Sequence, residues 1–179
     1  MRSPGTLSGA HPLQPLLGMV TAGEFCNRTV IIAHPAETLL DAAKRMRDEH
    51  VGSLVVVEDL PEGRRPIGML TDRDMVVAVL GQKGQHVESV SVGDVMSKEV
   101  VRAWEDEPLI DVLKRMRSFG IRRVPVVDSS DCLSGLICFD DLVEQIADEM
   151  HDLATLITFE RNHERRRESH ASGGGRLGA

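Results

Sequence analysis

Tyrosine is missing from the 179-residue chain, tryptophan occurs once, and aromatic residues make up only 3% of the sequence. Without stacked rings there is no platform for single-stranded nucleic acid, and the core must be assembled from Val, Leu, Ile, Met and Ala. Positive charge is also scarce. With 21 Lys and Arg against 28 Asp and Glu, the net charge of −7 argues against a general polyanion binder, because phosphate affinity comes mainly from basic side chains. The three cysteines, Cys26, Cys132 and Cys138, are odd in number and form no C-x-x-C, which excludes a disulfide framework and a zinc ribbon. Reduced thiols suit the cytoplasm. No apolar run approaches membrane-spanning length, and residues 1–18 lack the apolar centre of a secretory signal. They read as a disordered leader, with Met19 as an alternative start. The seven histidines have no zinc-type spacing and no serine sits in a nucleophile elbow, so the reading is non-enzymatic and requires no metal.

What the chain has is a repeat. A shift of 70 places Val20–Val57 on Val90–Val127 and sets Lys44-Arg45-Met46-Arg47 on an identical Lys114-Arg115-Met116-Arg117. Gly23, Val30, Leu39 and Asp41 find Gly93, Val100, Leu109 and Asp111. Past residue 60 the shift is 67, pairing Gly68 with Gly135 and Asp74 with Asp141. Loops absorb such length changes cheaply. Two copies that bury their apolar faces on each other leave paired clefts at the seam, where function is sought.

Each copy has the same order of elements. Thr29–Ala33 and Glu99–Arg102 suit first strands, followed by helices with apolar Leu39, Ala42, Ala43, Met46 and Leu109, Val112, Leu113, Met116. Glu107-Pro108 suits a helix start. Ser53–Glu58 and Val124–Asp128 read as strands covered on both faces. Third strands follow at Pro66–Leu70 and Leu133–Ile137, then helices from Asp72 to Leu80 and from Asp140 onward. The fold class is α/β (α+β): two β-α-β-β-α repeats as a pseudo-two-fold pair with a C-terminal helical extension. The boundaries are leader 1–18, repeat 19–81, connector 82–89, repeat 90–150, C-terminal helix 151–168 and flexible tail 169–179. Val143, Ile146, Met150, Leu153 and Ile157 form an apolar stripe running past the second repeat. It folds back on the module or zips two modules together.

Thr71-x-x-Asp74 is a capping box by spacing. Its counterpart reads Cys138-Phe139-Asp140-Asp141, and cysteine caps poorly. Arg122 and Arg123 precede the second Val-Pro-Val run where the first copy has Gly52 and Ser53, so the clefts are unequal. Arg122 and Arg123 read equally well as a solvated strand-end pair. His34 and Trp104 share a position, as base-stacking rings or plain surface rings.

The doubled element order, Gly68-Met69-Leu70-Thr71-Asp72-Arg73-Asp74 and Arg122-Arg123-Val124-Pro125-Val126-Val127 resemble a pair of cystathionine β-synthase (CBS) domains, a Bateman module of the stand-alone bacterial type. The resemblance implies a regulatory sensor that binds an adenosine compound, AMP, ADP, ATP or S-adenosylmethionine, between the repeats. It implies ribose contacts from Asp74 and Asp141, phosphate-side contacts from Thr71, Cys138, Arg122 and Arg123, and adenine contacts from Val30, Ile31, His34, Val100, Val101 and Trp104. The cysteine at 138 departs from the family's Thr or Ser and removes a hydroxyl. The implied partners are a second copy in a homodimer and an effector protein. Two other readings stand beside it: a ligand-free dimeric scaffold, and a nucleic-acid-associated regulator acting through Arg161–Arg167.

Overall fold

The computed structural model describes residues 19–81, 89–152 and 154–155. The leader, most of the connector, the end of the apolar stripe from Leu153 on and the Arg-rich tail lie outside the described residues. Each repeat begins with a single helical turn, α1 (Ala22–Phe25) in the first and α4 (Val92–Val95) in the second. The first continues as β1 (Ile32–Ala33), α2 (Leu39–Asp48), β2 (Ser53–Leu60), β3 (Gly63–Thr71) and α3 (Asp72–Gly81). The second continues as β4 (Ala103–Trp104), α5 (Leu109–Phe119), β5 (Arg123–Val127) and β6 (Leu133–Cys138), followed by a helix, α6, over 139–152. The chain divides into two units, Met1–Cys138 and Phe139–Ala179.

Each sheet has three strands in sequence order, the first pair parallel and the second antiparallel, with the same register shift at Val56/Val57 and at Val126/Val127. The middle strands are buried from Ser53 through Val57 and from Val124 through Val127, as their near-continuous apolar runs require.

The identical Lys-Arg-Met-Arg runs have a side-chain explanation. Met46 and Met116 face the cores, while Lys44 and Lys114 pair with Asp41 and Asp111 one turn back. Arg45 donates to the Ile32 carbonyl and Arg115 to the Arg102 carbonyl, both at 2.5 Å, and the two guanidinium groups pair with Glu37 and Glu107. The same clamp ties the helix to the first strand in one copy and to the residue just before it in the other. Thr38 caps α2 by accepting from the Asp41 N–H at 3.1 Å. Pro108 stands at the cap of α5, and Gly120 ends that helix at φ 65°, a left-handed conformation that favours glycine.

The first strands differ from expectation. Only Ile32–Ala33 and Ala103–Trp104 pair as strands, so the runs at Thr29–Ala33 and Glu99–Arg102 are shorter or displaced. The physical reason is an exchange between repeats. Asn27 pairs with Leu136 on β6, and Ser97 pairs with Met69 on β3, so the next few residues are spent crossing from one sheet to the other. Val90 and Val92 accordingly enter the core formed by Ala33, Leu39, Ala42, Leu54, Val56 and Leu70. In the other direction, Ala22 N–H donates to Glu107 O and Gly23 N–H to Glu105 O, both at 2.8 Å.

Candidate functional site

The turn from β3 into α3 builds the first candidate. Asp74 Oδ2 accepts from the Thr71 N–H at 3.0 Å and from Thr71 Oγ1 at 2.7 Å, while Asp74 N–H donates to Thr71 Oγ1 at 3.1 Å. The capping box is therefore closed. Ser53 lies across from Thr71, and Asp72 N–H donates to the Gly52 carbonyl at 3.1 Å, so the start of β2 joins the same corner. Asp74 is half-buried and lines an open cleft of about 590 Å³ with Arg73, Val77, Ala78, Asp94 and Val95. A charged acceptor fixed by its own helix end, beside an apolar wall, is chemically suited to hold vicinal hydroxyls.

In the second copy Arg123 stands directly across from Cys138, the counterpart of the Ser53 and Thr71 pair. Arg122 is exposed, and Cys138 is half-buried. Asp141 is exposed on the first turn of α6, in the unit that begins at Phe139.

The adenine candidates fall into different places. Val30, Ile31, Val100 and Val101 are half-buried. Ile31 packs against the first core and its carbonyl already accepts from Val55 N–H at 3.2 Å. Val100 lines a separate cleft of about 380 Å³ with Ile67, Lys98 and Arg102. The His34 ring is held between two carboxylates, with Nδ1 3.1 Å from Glu37 and Nε2 3.1 Å from Asp59. Trp104 is 48% exposed and lines a cleft of about 600 Å³ with Glu105, Asp106 and Asp128. Of the two ring positions, Trp104 keeps an open face and His34 is committed to its acidic neighbours.

Sequence reasoning passed over the segments that lead into each repeat. Thr21 with Glu24 and Ser91 with Asp94 form capping boxes, a readable signal of short helices at these points. Beside the first of them, Arg28 joins the repeats: its Nη1 reaches Glu105 Oε1 at 2.5 Å and Ser134 Oγ at 2.6 Å, and its Nη2 reaches the Gly23 carbonyl at 2.8 Å. Hydrogen bonding from Ser134, then from Arg28, holds the Glu105 carboxyl below its ordinary range. Among the described residues no three His, Cys, Asp or Glu side chains are disposed to hold a metal ion, and no helix is long and apolar enough to cross a membrane.

Comparison with known proteins matches this architecture. The CBS domain family model matches residues 22–81 and 92–148. An uncharacterized protein of Methanopyrus kandleri is 37% identical over 125 residues, which is 70% of this chain and 62% of that protein, so the chain spans less than two thirds of that relative. The solved CBS domain pair of protein MJ0100, in complex with 5′-methylthioadenosine and S-adenosyl-L-methionine, is 25% identical with a TM-score of 0.60, covering 73% of this chain and 98% of its own. Hypoxic Response Protein I, solved with two coordinated zinc ions, is 29% identical with a TM-score of 0.61, covering 71% of this chain and 99% of its own. Two tandem matches over most of the chain, on a fold shared with solved CBS pairs, make this protein a member of the CBS domain family.

Proposed function

We propose that the protein is a non-enzymatic sensor that binds an adenosine-containing ligand between its repeats and passes occupancy to an effector protein. The observation that carries this is the half-buried Asp74 carboxylate, held by Thr71 at the start of α3 and open to a cleft large enough for a nucleoside. The similar MJ0100 pair, which binds two adenosine compounds, supports the ligand class. Signalling requires that the ligand favour one conformation over another. The exchanged leading segments are a physical route for this, since each ties one repeat's sheet to the other repeat.

A two-fold homodimer accompanies this reading. Val76 and Val77 on α3 are 55% and 61% exposed, and an apolar helix face left open to water suits burial against a second copy. Work in the cytoplasm, with thiols reduced, completes the proposal.

The test is to denature the purified protein and identify any released small molecule by mass spectrometry, then titrate that compound into apo protein by calorimetry. A saturable stoichiometry that falls in the Asp74→Ala variant is the expected result. Failure of adenosine, AMP, ATP and S-adenosylmethionine to bind at millimolar concentration would exclude the sensor and leave a dimeric scaffold.

A further inference from the structure

We propose that the cleft at Trp104 is a binding site for an organic cation, with a guanidinium group as its best-matched occupant, stacked on the indole and held by Asp106 and Asp128. The site shares no residue with the cleft at Asp74 and does not depend on the adenosine reading above.

Trp104 ends β4, and its backbone is pinned there. Its N–H donates to Glu107 Oε2 at 3.3 Å, its carbonyl accepts from the Glu107 N–H at 3.1 Å, and the next N–H, of Glu105, donates to the Val127 carbonyl at 3.0 Å. The residue is nevertheless 48% exposed and forms one wall of an open cleft of about 600 Å³. The other walls are Glu105, Asp106, Asp128 and Ser129, so an indole meets three carboxylates and, among the described residues, no basic side chain lines the cleft. Glu105 is met by Arg28 at 2.5 Å. Asp106 and Asp128 pair with no cation among the described residues. The Asp128 carboxylate takes both of its turn bonds, from the Ser130 N–H at 2.8 Å and the Cys132 N–H at 3.0 Å, on Oδ1. An aromatic ring bordered by carboxylates that nothing neutralises attracts a cation. Guanidinium suits it better than ammonium, because it is planar, weakly hydrated and forked.

The first repeat shows the same corner with its charge met from within. The counterpart of Trp104 is His34, whose ring nitrogens lie 3.1 Å from Glu37 and 3.1 Å from Asp59. Glu105-Asp106 corresponds to Pro35-Ala36, which carry no charge. On the hairpin, Asp128 corresponds to Glu58, which pairs with Arg65 across the strands, whereas the residue across from Asp128 is Cys132. Arg64, 3.5 Å from Asp59, is replaced by Asp131, which Arg102 already engages at 2.6 Å. The first copy thus supplies a nitrogen partner to Glu37, Glu58 and Asp59 alike. The second adds two carboxylates on the loop after β4 and drops both hairpin arginines. One repeat closes this corner internally, and the other leaves it open to a cation from outside.

Trp104 is the only tryptophan of the chain, so its emission reports this cleft alone. The full chain is titrated at constant ionic strength with N-acetyl-arginine amide and, as an uncharged isostere, N-acetyl-citrulline amide. A saturable change in emission at millimolar arginine amide, at least about tenfold weaker with the citrulline compound, is the expected result. Asp106→Asn, a near-isosteric change at an exposed position, should lower the affinity about threefold. Trp104→Leu, followed by the amide chemical shifts of Glu105 and Ser129, should lower it by a similar factor. An arginine-centred pentapeptide that binds more tightly than the amide would assign the guanidinium to a protein segment, and equal binding would assign it to a small guanidino compound; both results support the site. An equal response to the citrulline compound would overturn it, because charge would not be what the cleft reads. Calcium or magnesium acting at lower concentration than the arginine amide would also overturn it, by reducing the carboxylates to an inorganic cation site. A saturable response to adenosine with none to arginine would return Trp104 to base stacking and remove the inference.

Discussion

Ser97 and Met69 exchange a pair of backbone hydrogen bonds, Met69 N–H to Ser97 O at 3.0 Å and Ser97 N–H to Met69 O at 2.8 Å. Through this pair the segment that introduces the second repeat completes the sheet of the first. Asn27 and Leu136 do the same in the other direction, both bonds at 3.0 Å. The repeats are joined by traded edges rather than only by facing surfaces.

A chain ending at residue 81 therefore lacks Val90 and Val92, which belong to the first repeat's core. Burying two valines contributes about 3 to 6 kcal/mol, comparable with the stability of a small domain. The isolated segment 19–81 should show an unfolded circular dichroism spectrum and gain structure on mixing with 89–152. A cooperative thermal melt of 19–81 alone would contradict the exchange.

Gly68 is required by the approach of Met96: an added Cβ would lie 2.5 Å from Met96 Sδ and 3.2 Å from the Ser97 carbonyl oxygen. Gly68→Ala should cost about 1 to 3 kcal/mol in urea denaturation. Adding Met96→Ala should recover part of that loss, because the flexible side chain is the nearest obstacle. A double variant whose losses simply add would show that the backbone carbonyl is the barrier.

Thr71 and Asp74 share one capping box but differ in what they offer a ligand. Either alanine variant should lower stability by about 1 kcal/mol through the cap. Only Asp74→Ala removes the charged acceptor, and it should weaken adenosine binding tenfold or more, since a hydrogen bond to a charged group contributes about 1.5 to 3 kcal/mol. Equal affinity losses in the two variants, measured by calorimetry, would reduce Asp74 to a structural role.

Glu37 and Glu105 set an acid limit. Burial raises the Glu37 pKa, but hydrogen bonds from Arg45 and His34 outweigh it and the net shift is downward; Glu105 is lowered by Ser134 and then Arg28. A carboxylate with a lowered folded pKa contributes stability above its unfolded pKa of about 4.3, and loses it as pH falls through the folded value. Urea midpoints should fall steadily below about pH 4, and Arg28→Ala should make the decline shallower. An unchanged slope in that variant would remove Glu105 from the account.

The exposed Val76 and Val77 on α3 predict a dimer by light scattering at micromolar concentration, and Val76→Lys should shift it toward monomer. A monomer mass for the unsubstituted chain would rule out the two-fold assembly.

Much of this was legible in the sequence because it is local. Middle strands buried on both faces announce themselves as unbroken apolar runs, and the helices by their stripes of Leu39, Ala42 and Met46 or Leu109, Val112 and Met116. Thr71 and Asp74 are three residues apart, so their box follows from spacing alone. His34 was not legible in this way. Its ring reads as exposed until the β2 and β3 hairpin brings Asp59, 25 positions along the chain, to within 3.1 Å.

The repeat, its element order and the unequal charge of its copies are properties of the chain itself, since each depends only on which residue follows which. The exchange of leading segments was decided by tertiary structure. Val20 and Val90 are the same residue at the same place in each copy, and Thr21 and Ser91 cap equivalent turns, so local chemistry favours neither repeat as the docking partner. Only closure in space chooses: each segment adds to the edge of the other repeat's third strand, and Gly68 and Gly135 leave room for Met96 and Cys26 to approach it.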